Sequence, residues 1–517
     1  NMYINPQTNI KLLKNVPLDT TYEHTIYFSS ASDQSAYFAS LVKYNLTNYS
    51  YQRVKRGYAR VGIKADSLYD CNYMMFQNTA YGSKWFYAFI TSVEYVNGEC
   101  SEIAFELDVM QTWFFNCSPD YCFVEREHSK TDVVGDNILP EPVEVGEQIY
   151  SSGVNQVDNL GELCVIVESL DTTAAEFSGV IYDGIYGAGN KKAFRIDDYS
   201  GINTYLKTFA QKTDNILSIY MCPRVTISSS QLPTEGHTVD NNYDAYEKEY
   251  VAQKISGTET LDGYTPKNKK LYTFPYNMFS VIDGSGNELQ LRYEFFSNGS
   301  PTLILNSTCS LPVQVMVRPK NYKGMSECYS ESLTLSGFPM CSWGIDSYQA
   351  WVAQHSLPQK VQTGMGVIGS AIASIIAPPI GVAMAGMTAL NTVTSSMLQK
   401  YQASVASDSV KGNQNNGGVN TAAKTNNFFC GRKCCQYQYA RAIDNFFTMY
   451  GYATKRVKKP NRNSRPHWNY VKTVGCTITG SVPADDMRKI CSIYDSGITF
   501  WKNGSEVGNY SLDNSPA

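Results

Sequence analysis

Residues 73–109 read YMMFQNTAYGSKWFYAFITSVEYVNGECSEIAFELDV, and their pattern decides the class of the fold. From Ile103 onward the chain alternates: Ile103, Phe105, Leu107 and Val109 fall on one side of an extended backbone, Glu106 and Asp108 on the other. Trp85 to Tyr95 reads as the partner strand. Asn97-Gly98 between the two is the pair that a two-residue hairpin favours, because both turn positions need positive φ. Glu106 and Asp108 resemble a paired acid and base, yet no nucleophile or histidine lies near them in sequence. They are read as the solvated face of a half-covered strand.

The same texture extends outward. The chain has 517 residues, enough for two to four domains, and 38 of them are Tyr. Tyr, Phe, Val, Ile and Thr alternate with polar residues along most of it, which favours strands over helices. A net charge of −4 argues against a dedicated nucleic-acid binder, which carries a strongly basic domain. The 14 Cys fall irregularly, as expected for thiols kept reduced during assembly in a cytoplasm. Met2 reads as an initiator, and no basic stretch with an apolar core follows it, so no secretory signal is expected.

Thr25–Phe28 and Gly62–Lys64 read as short strands near the start. Leu139-Pro140-Glu141-Pro142 reads as a linker and Glu162–Val167 as a buried strand. Ile202, Tyr205, Leu206 and Phe209 have helical spacing. Ile216–Cys222 is a strand stopped by Pro223, and His237–Lys270 an exposed excursion. A second β region follows, with a turn at 281–286, a strand Leu289–Phe296 and another at Val313–Val317. Near the end, strands are expected at Gly475–Gly480 and Gly497–Trp501, with a helix at Asp486–Tyr494 between them.

One stretch departs from this texture. From Val361 to Gln399 there is no charged residue and no histidine. Two apolar arms, Gly364–Ala377 and Ile380–Leu398, meet at Pro378-Pro379. Gly369, Ala373, Ala377, Gly381, Ala385 and Ala389 recur every fourth position, a spacing that lets helices approach closely. The apolar contacts would come from Gly364, Val367, Ile368, Ile372, Ile375, Ile376, Pro378, Pro379, Ile380, Val382, Met384, Met387 and Leu390. At about 1.5 Å per residue the second arm is nearly bilayer length, while the first is too short alone. Insertion into a membrane, a passive plug and a buried core hairpin are the three readings.

Catalytic and cofactor signatures fail in turn, so no catalytic, cofactor or metal residue is assigned. Gly187-Ala188-Gly189 starts a nucleotide-binding turn, but Lys192 stands where the third glycine belongs, and Gly82-Ser83-Lys84 lacks the upstream glycine of a phosphate loop. His24, His128, His237, His355 and His467 are scattered. Cys430, Cys434 and Cys435 cluster, with no second pair nearby to complete a zinc site. The basic run Lys455–Arg465, followed by Trp468 and Tyr470, reads as a solvated loop or a protein–protein contact rather than a phosphate-contacting patch.

Specific motifs remain. They are Phe76-Gln77-Asn78, then Tyr81-Gly82 and Lys84-Trp85-Phe86, then Gln111-Thr112-Trp113, Arg126-Glu127-His128 and, late in the chain, Lys458-Lys459-Pro460 with Trp468-Asn469-Tyr470. Their order and wording resemble the tail knob (distal tail-tube) proteins of small picovirus-type podophages, short-tailed viruses of Gram-positive bacteria. That resemblance implies a mainly β, multidomain subunit with minor α, a barrel or sandwich that forms a tube. Residues 1–135 and 431–517 would build the tube domain from both chain ends, 136–270 an α+β domain, 271–355 a β domain, and 356–430 an inserted hydrophobic loop with a polar tail. It also implies a virion protein assembled in the host cytoplasm as a homohexamer, which joins the upstream tail or lower collar protein and passes phage DNA without binding it specifically. The hydrophobic loop would plug the tube and later insert into the host membrane to form a pore. A tail adhesin that recognises cell-wall carbohydrate is the alternative, and exposed Tyr- and Asn-rich segments would suit it.

Overall fold

The structure is a computed structural model. It describes residues 7–49, 57–78, 82, 84–151, 153–158, 160, 162–169, 181–182, 185–186, 190–195, 198–207, 216–224, 227, 236–238, 246–283, 286–297, 299–307, 313–323, 331–336, 340–342 and 427–516. The apolar arms from Val361 to Gln399 and the motif residue Tyr81 lie outside the described residues. Two compact units emerge. The first comprises Asn1–Glu147, Thr260–Thr273 and Cys435–Ala517; the second comprises Gln148–Glu259 and Phe274–Cys434.

The first unit opens with nine strands and two helices. They are β1 (Thr8–Lys14), β2 (His24–Ile26), α1 (Ala31–Ser40), β3 (Val42–Tyr49), β4 (Tyr58–Val61), β5 (Cys71–Asn78), β6 (Phe86–Asn97), β7 (Cys100–Leu107), α2 (Val109–Thr112), β8 (Cys117–Pro119) and β9 (Cys122–Glu127). Six of the strands form an antiparallel sheet in the order β3-β1-β5-β6-β7-β4. The expected hairpin lies within it, but its two-residue loop is Gly98-Glu99 rather than Asn97-Gly98: Asn97 faces Cys100, neither Asn97 nor Gly98 takes positive φ, and the Asn97 Oδ1 accepts from the Glu99 amide at 2.9 Å. Alternation splits β5 and β6 between two cores. Tyr73, Met75, Tyr87 and Phe89 pack with Leu13, Val109 and Phe500, while Met74 and Ala88 pack with Ile10, Leu12 and Ile103 on the other face.

A second sheet in this unit joins both chain ends. Its order is β2, Ile498–Trp501, Trp468–Val474, β9, Tyr452–Lys458. β2 runs parallel to Ile498–Trp501, with His24 beside Thr499. Trp468 and Trp501 are fully buried, 5.0 Å apart between ring centres, and Tyr510 lies 5.2 Å from each. The helix expected near Asp486–Tyr494 is Ala484–Ser496; Asp485 and Asp486 in its first turn complement the positive end of its dipole. An earlier helix, Tyr437–Tyr450, ends at Gly451, where φ is 65° and a Cβ would strike the backbone of Glu127.

Several expectations are corrected. Gly62–Lys64 is not a strand: β4 stops at Val61, and the chain bends into a short 3₁₀ turn at Ala65–Ser67. Gly475 to Thr477 is a turn, and only Ile478–Gly480 pairs, with β8. Asp108 is not on a solvated face. The strand ends at Leu107, and Asp108 caps α2 with 1% of its surface exposed. Helices α1 and Tyr437–Tyr450 were not expected from alternation.

The second unit has three sheets of four or five strands. In one, Gln148–Tyr150, Phe428–Cys435, Asn277–Asp283 and Glu288–Leu291 pair in that order. The second orders His237–Thr238, Asn190–Arg195, Leu163–Ser169, Ile216–Pro223 and Met340–Ser342, and the third orders Tyr246–Val251, Thr302–Ser307, Val315–Lys320 and Leu333–Leu335. The helix read from Ile202 is Tyr199–Lys207, and Ile202 is fully buried. The strand read as Leu289–Phe296 stops at Leu291, and a 3₁₀ turn takes over at Tyr293. His237–Lys270 is no exposed excursion: Tyr246–Val251 pairs with Thr302–Ser307, and Leu261 and Lys270 are 0% and 3% exposed. No described helix is long and apolar enough to cross a membrane.

Candidate functional site

The motif residues of the N-terminal third meet at one end of the six-stranded sheet of the first unit. Phe76 on β5 stacks on Phe86 of β6 at 5.4 Å, and both pairing strands carry it there in register. Gln77 and Asn78 continue β5 opposite Asn9 and Thr8, and Asn78 donates to the Thr8 hydroxyl at 3.3 Å. Gly82 is exposed with φ 107°. The Lys84 ammonium sits 3.5 Å from the centre of the Trp113 ring and donates to Asn116 Oδ1 at 2.6 Å. Burial pushes the Lys84 amine down to about 8. Lys11 lies 4.8 Å over the Trp85 ring.

Helix α2 turns this end of the sheet into a hydrogen-bonded knot. Asp108 Oδ1 accepts from the Gln111 amide at 3.1 Å, and Asp108 Oδ2 from the Tyr73 hydroxyl at 2.8 Å. Gln111 donates through Nε2 to Thr25 Oγ1 and Ile26 O, and accepts from Gln34 Nε2, all at 2.9 Å. The Thr112 hydroxyl accepts from the Tyr87 amide at 3.0 Å, and Trp113 Nε1 donates to Asp486 at 2.8 Å. One side-chain triplet therefore ties β2, α1, β6 and the helix Ala484–Ser496 together. Burial raises the Asp108 carboxyl to about 6 despite the hydrogen bonds it receives.

The C-terminal motif serves a separate part of the unit. Lys458 pairs with the buried Glu127, whose other oxygen accepts from the Asn461 amide at 2.9 Å. Lys459 lies 3.7 Å from Asp120 and 5.4 Å over the Tyr121 ring, and Pro460 is buried. The basic run is thus not a loop throughout: Lys455 and Arg456 are exposed, but on a strand. Lys458 lies in a strand, and Arg465, 3% exposed, donates to Ser129 O at 2.8 Å. His128 is buried between Tyr470 N, which donates to Nδ1 at 2.8 Å, and Thr448 O, 3.1 Å from Nε2. Burial and the nearby Arg465 push its imidazole down to about 3.

Sequence reasoning missed a buried carboxylate that four donors share. Asp444, on the buried face of helix Tyr437–Tyr450, accepts from Tyr264 Oη at 2.7 Å, Lys267 N at 2.8 Å, Asn268 N at 3.0 Å and Asn268 Nδ2 at 2.8 Å. Next to it Lys270 and Arg126 both pair with Glu141, whose side chain is fully buried. Leu139–Pro142 is therefore no free linker. Alternation cannot reveal such residues, because each is a polar group on an otherwise apolar face.

This arrangement holds strands and helices together. Among the described residues no group of His, Cys, Asp and Glu is placed to hold a metal ion. A cavity of about 740 Å³ is lined by Cys476, Met487, Cys491 and Asp495 among others, and by none of the motif residues.

The comparisons with known proteins agree with one another. The family model of the C-terminal domain of tail knob protein gp9 of Bacillus phage phi29 matches residues 237–515, and that of the N-terminus of caudoviral major tail proteins matches residues 6–118. Tail knob protein gp9 of Bacillus phage PZA is 28% identical over 98% of both chains, and that of Bacillus phage phi29 is 26% identical over 98% of both. The solved tail knob protein gp12 of bacteriophage C1 has the same fold, with a TM-score of 0.61 and 16% identity over 98% of this chain and 99% of that one. The chain belongs to the phage tail knob protein family, as a structural component of a podophage tail and of the virion rather than an enzyme.

Proposed function

We propose that the chain assembles as a homohexameric distal tail tube through which DNA leaves the particle, with residues 361–399 serving as plug and membrane-active segment. The first unit, which draws strands from both chain ends, is the part that forms the tube wall. Its many buried polar ties suit a wall that must keep its shape while DNA passes. The lumen carries acidic or neutral side chains, since a basic wall would hold DNA by its phosphates.

The observation that carries the reading is the uncharged run from Val361 to Gln399 in a chain of this family. Such a run is costly to leave in water, yet Ile380–Leu398, at roughly 28 Å as a helix, suits a bilayer core of about 30 Å. Pro378-Pro379 would bend the two arms into a hairpin, and six copies would let the backbone polar groups face protein rather than lipid. Deletion of residues 364–398 is expected to leave the hexamer intact in electron micrographs and to abolish leakage from dye-loaded liposomes. Unchanged leakage removes the pore while sparing the tube, and monomers in the intact protein remove the tube.

A further inference from the structure

Two cysteines in the second unit face each other across a sheet. Cys164 lies on the strand Leu163–Ser169 and Cys222 on its antiparallel neighbour Ile216–Pro223, directly opposite in register between the pairs Leu163–Pro223 and Val165–Met221. Both are fully buried, and their sulfurs are 3.2 Å apart. Opposed residues on antiparallel strands have Cα atoms about 4.5–5.5 Å apart, inside the roughly 4.4–6.8 Å that a disulfide accepts. A covalent bond needs the sulfurs to close by about 1.2 Å, a distance that rotation of the two side chains supplies without moving the strands.

We infer that Cys164 and Cys222 are a dithiol that closes to a cross-strand disulfide after the particle leaves the reducing cytoplasm in which it is built. A virion protein crosses that boundary once, at lysis, and disulfides persist on the outer side of it. A peroxide is a sufficient oxidant. One thiol sulfur attacks a peroxide oxygen, the O–O bond breaks, and a sulfenic acid and a water form. The second sulfur then attacks the first, the S–S bond forms, the S–O bond breaks, and a second water leaves with the remaining thiol proton. Each sulfur loses one electron and the peroxide gains two. Burial sets the rate of this step: a small peroxide enters when the sheet breathes, and a bulky thiol reductant cannot follow to reverse it.

The test uses the full chain, purified reduced and then treated with hydrogen peroxide. Remaining thiols are alkylated after denaturation, and the protein is digested without reductant for mass spectrometry. The expected product is a linked peptide pair containing Cys164 and Cys222, two hydrogens lighter than its reduced parts. The bond should raise the unfolding midpoint of the second unit by roughly 4–16 °C, since it constrains the unfolded chain. Cys222→Ala should lose both effects, and Cys100→Ala on the hairpin should keep both. Recovery of Cys164 and Cys222 as separate alkylated thiols, under peroxide that oxidises the more accessible Cys100, overturns the inference. That comparison needs only the wild-type chain, so a variant that folds poorly does not rescue it.

Discussion

Replacing Asp444 by alanine removes a carboxylate that four donors share, and its cost can be followed donor by donor. The side chain is fully buried, and the segment it holds, Thr260–Thr273, returns to the first unit from another part of the chain. Tyr264 and Lys267 are not fully buried, so water replaces much of what they lose. The Asn268 side chain keeps Asp444 O at 3.1 Å and Thr448 Oγ1 at 2.8 Å. Its backbone amide is 7% exposed by residue and keeps nothing; an orphaned donor of this kind costs about 1–3 kcal/mol. With two weakened charge-assisted bonds at about 1 kcal/mol each, the net loss is about 3–5 kcal/mol. For a unit of this size that lowers the midpoint by roughly 6–20 °C. Asp444→Asn keeps one acceptor and turns an amide group toward donors, so it falls between. Differential scanning calorimetry reads the midpoint, and hydrogen exchange reads whether the amides of Lys267 and Asn268 open. A midpoint shift below about 2 °C, with protection of those amides unchanged, refutes the view that this carboxylate fastens the segment.

Two buried groups should oppose each other on acidification. Asp108 holds its proton to about pH 6 when folded, against an ordinary 3.8, so between these values the native state binds the extra proton and acid stabilises by about 1.4 kcal/mol per pH unit. His128 titrates near 3 when folded, against 6.5, so there the unfolded chain binds the proton and acid destabilises at the same rate. Asp108→Asn removes the first effect: between pH 6 and pH 4 its midpoint should fall by roughly 6–12 °C more than that of the wild type, and parallel pH curves would contradict the assignment. Trp113→Phe keeps the ring under Lys84 but loses the bond to Asp486, an expected cost of about 1–2 kcal/mol in urea denaturation. The pair Trp113→Phe with Asp486→Ala should then be less than additive. Gly451→Ala should cost at least about 2 kcal/mol, since it combines positive φ with a backbone collision; an unshifted urea midpoint would show that the helix end can move aside.

The β6–β7 hairpin was legible because everything that forms it is local: alternation, aromatic and β-branched residues, and turn formers within a few positions, although the loop itself is Gly98-Glu99, one residue on from the Asn-Gly pair. Asp108 was misread by the same logic. Alternation continues one residue past the strand, and nothing nearby in sequence says that Tyr73 and the α2 amides will claim its carboxylate. In the helix Tyr437–Tyr450, Ala440, Ile443 and Phe447 do have helical spacing, but Asp444 interrupts the apolar stripe and hides it. The basic residues from Lys455 to Arg465 look like a solvated loop until Glu127 and Ser129 O, more than three hundred residues earlier, are set beside them. Motif wording identified Gln111, Thr112 and Trp113 as distinctive and gave no role; their role lies in partners that only the tertiary fold assembles.

The position of β9 has a consequence for how the protein is made. Its two neighbours in the sheet are Trp468–Val474 and Tyr452–Lys458, and the bond from Arg126 to Gly451 spans 325 positions of chain. At about 5–20 residues per second, a ribosome needs roughly 16–65 s to deliver the partners after β9 has emerged. Throughout that interval both edges of the strand are open to any other nascent chain on the same message. Charged Glu125, Arg126 and Glu127, three residues in succession, are what keeps those edges from sticking to one another while they wait. That sheet therefore cannot close until the strands between Tyr452 and Trp501 have been made.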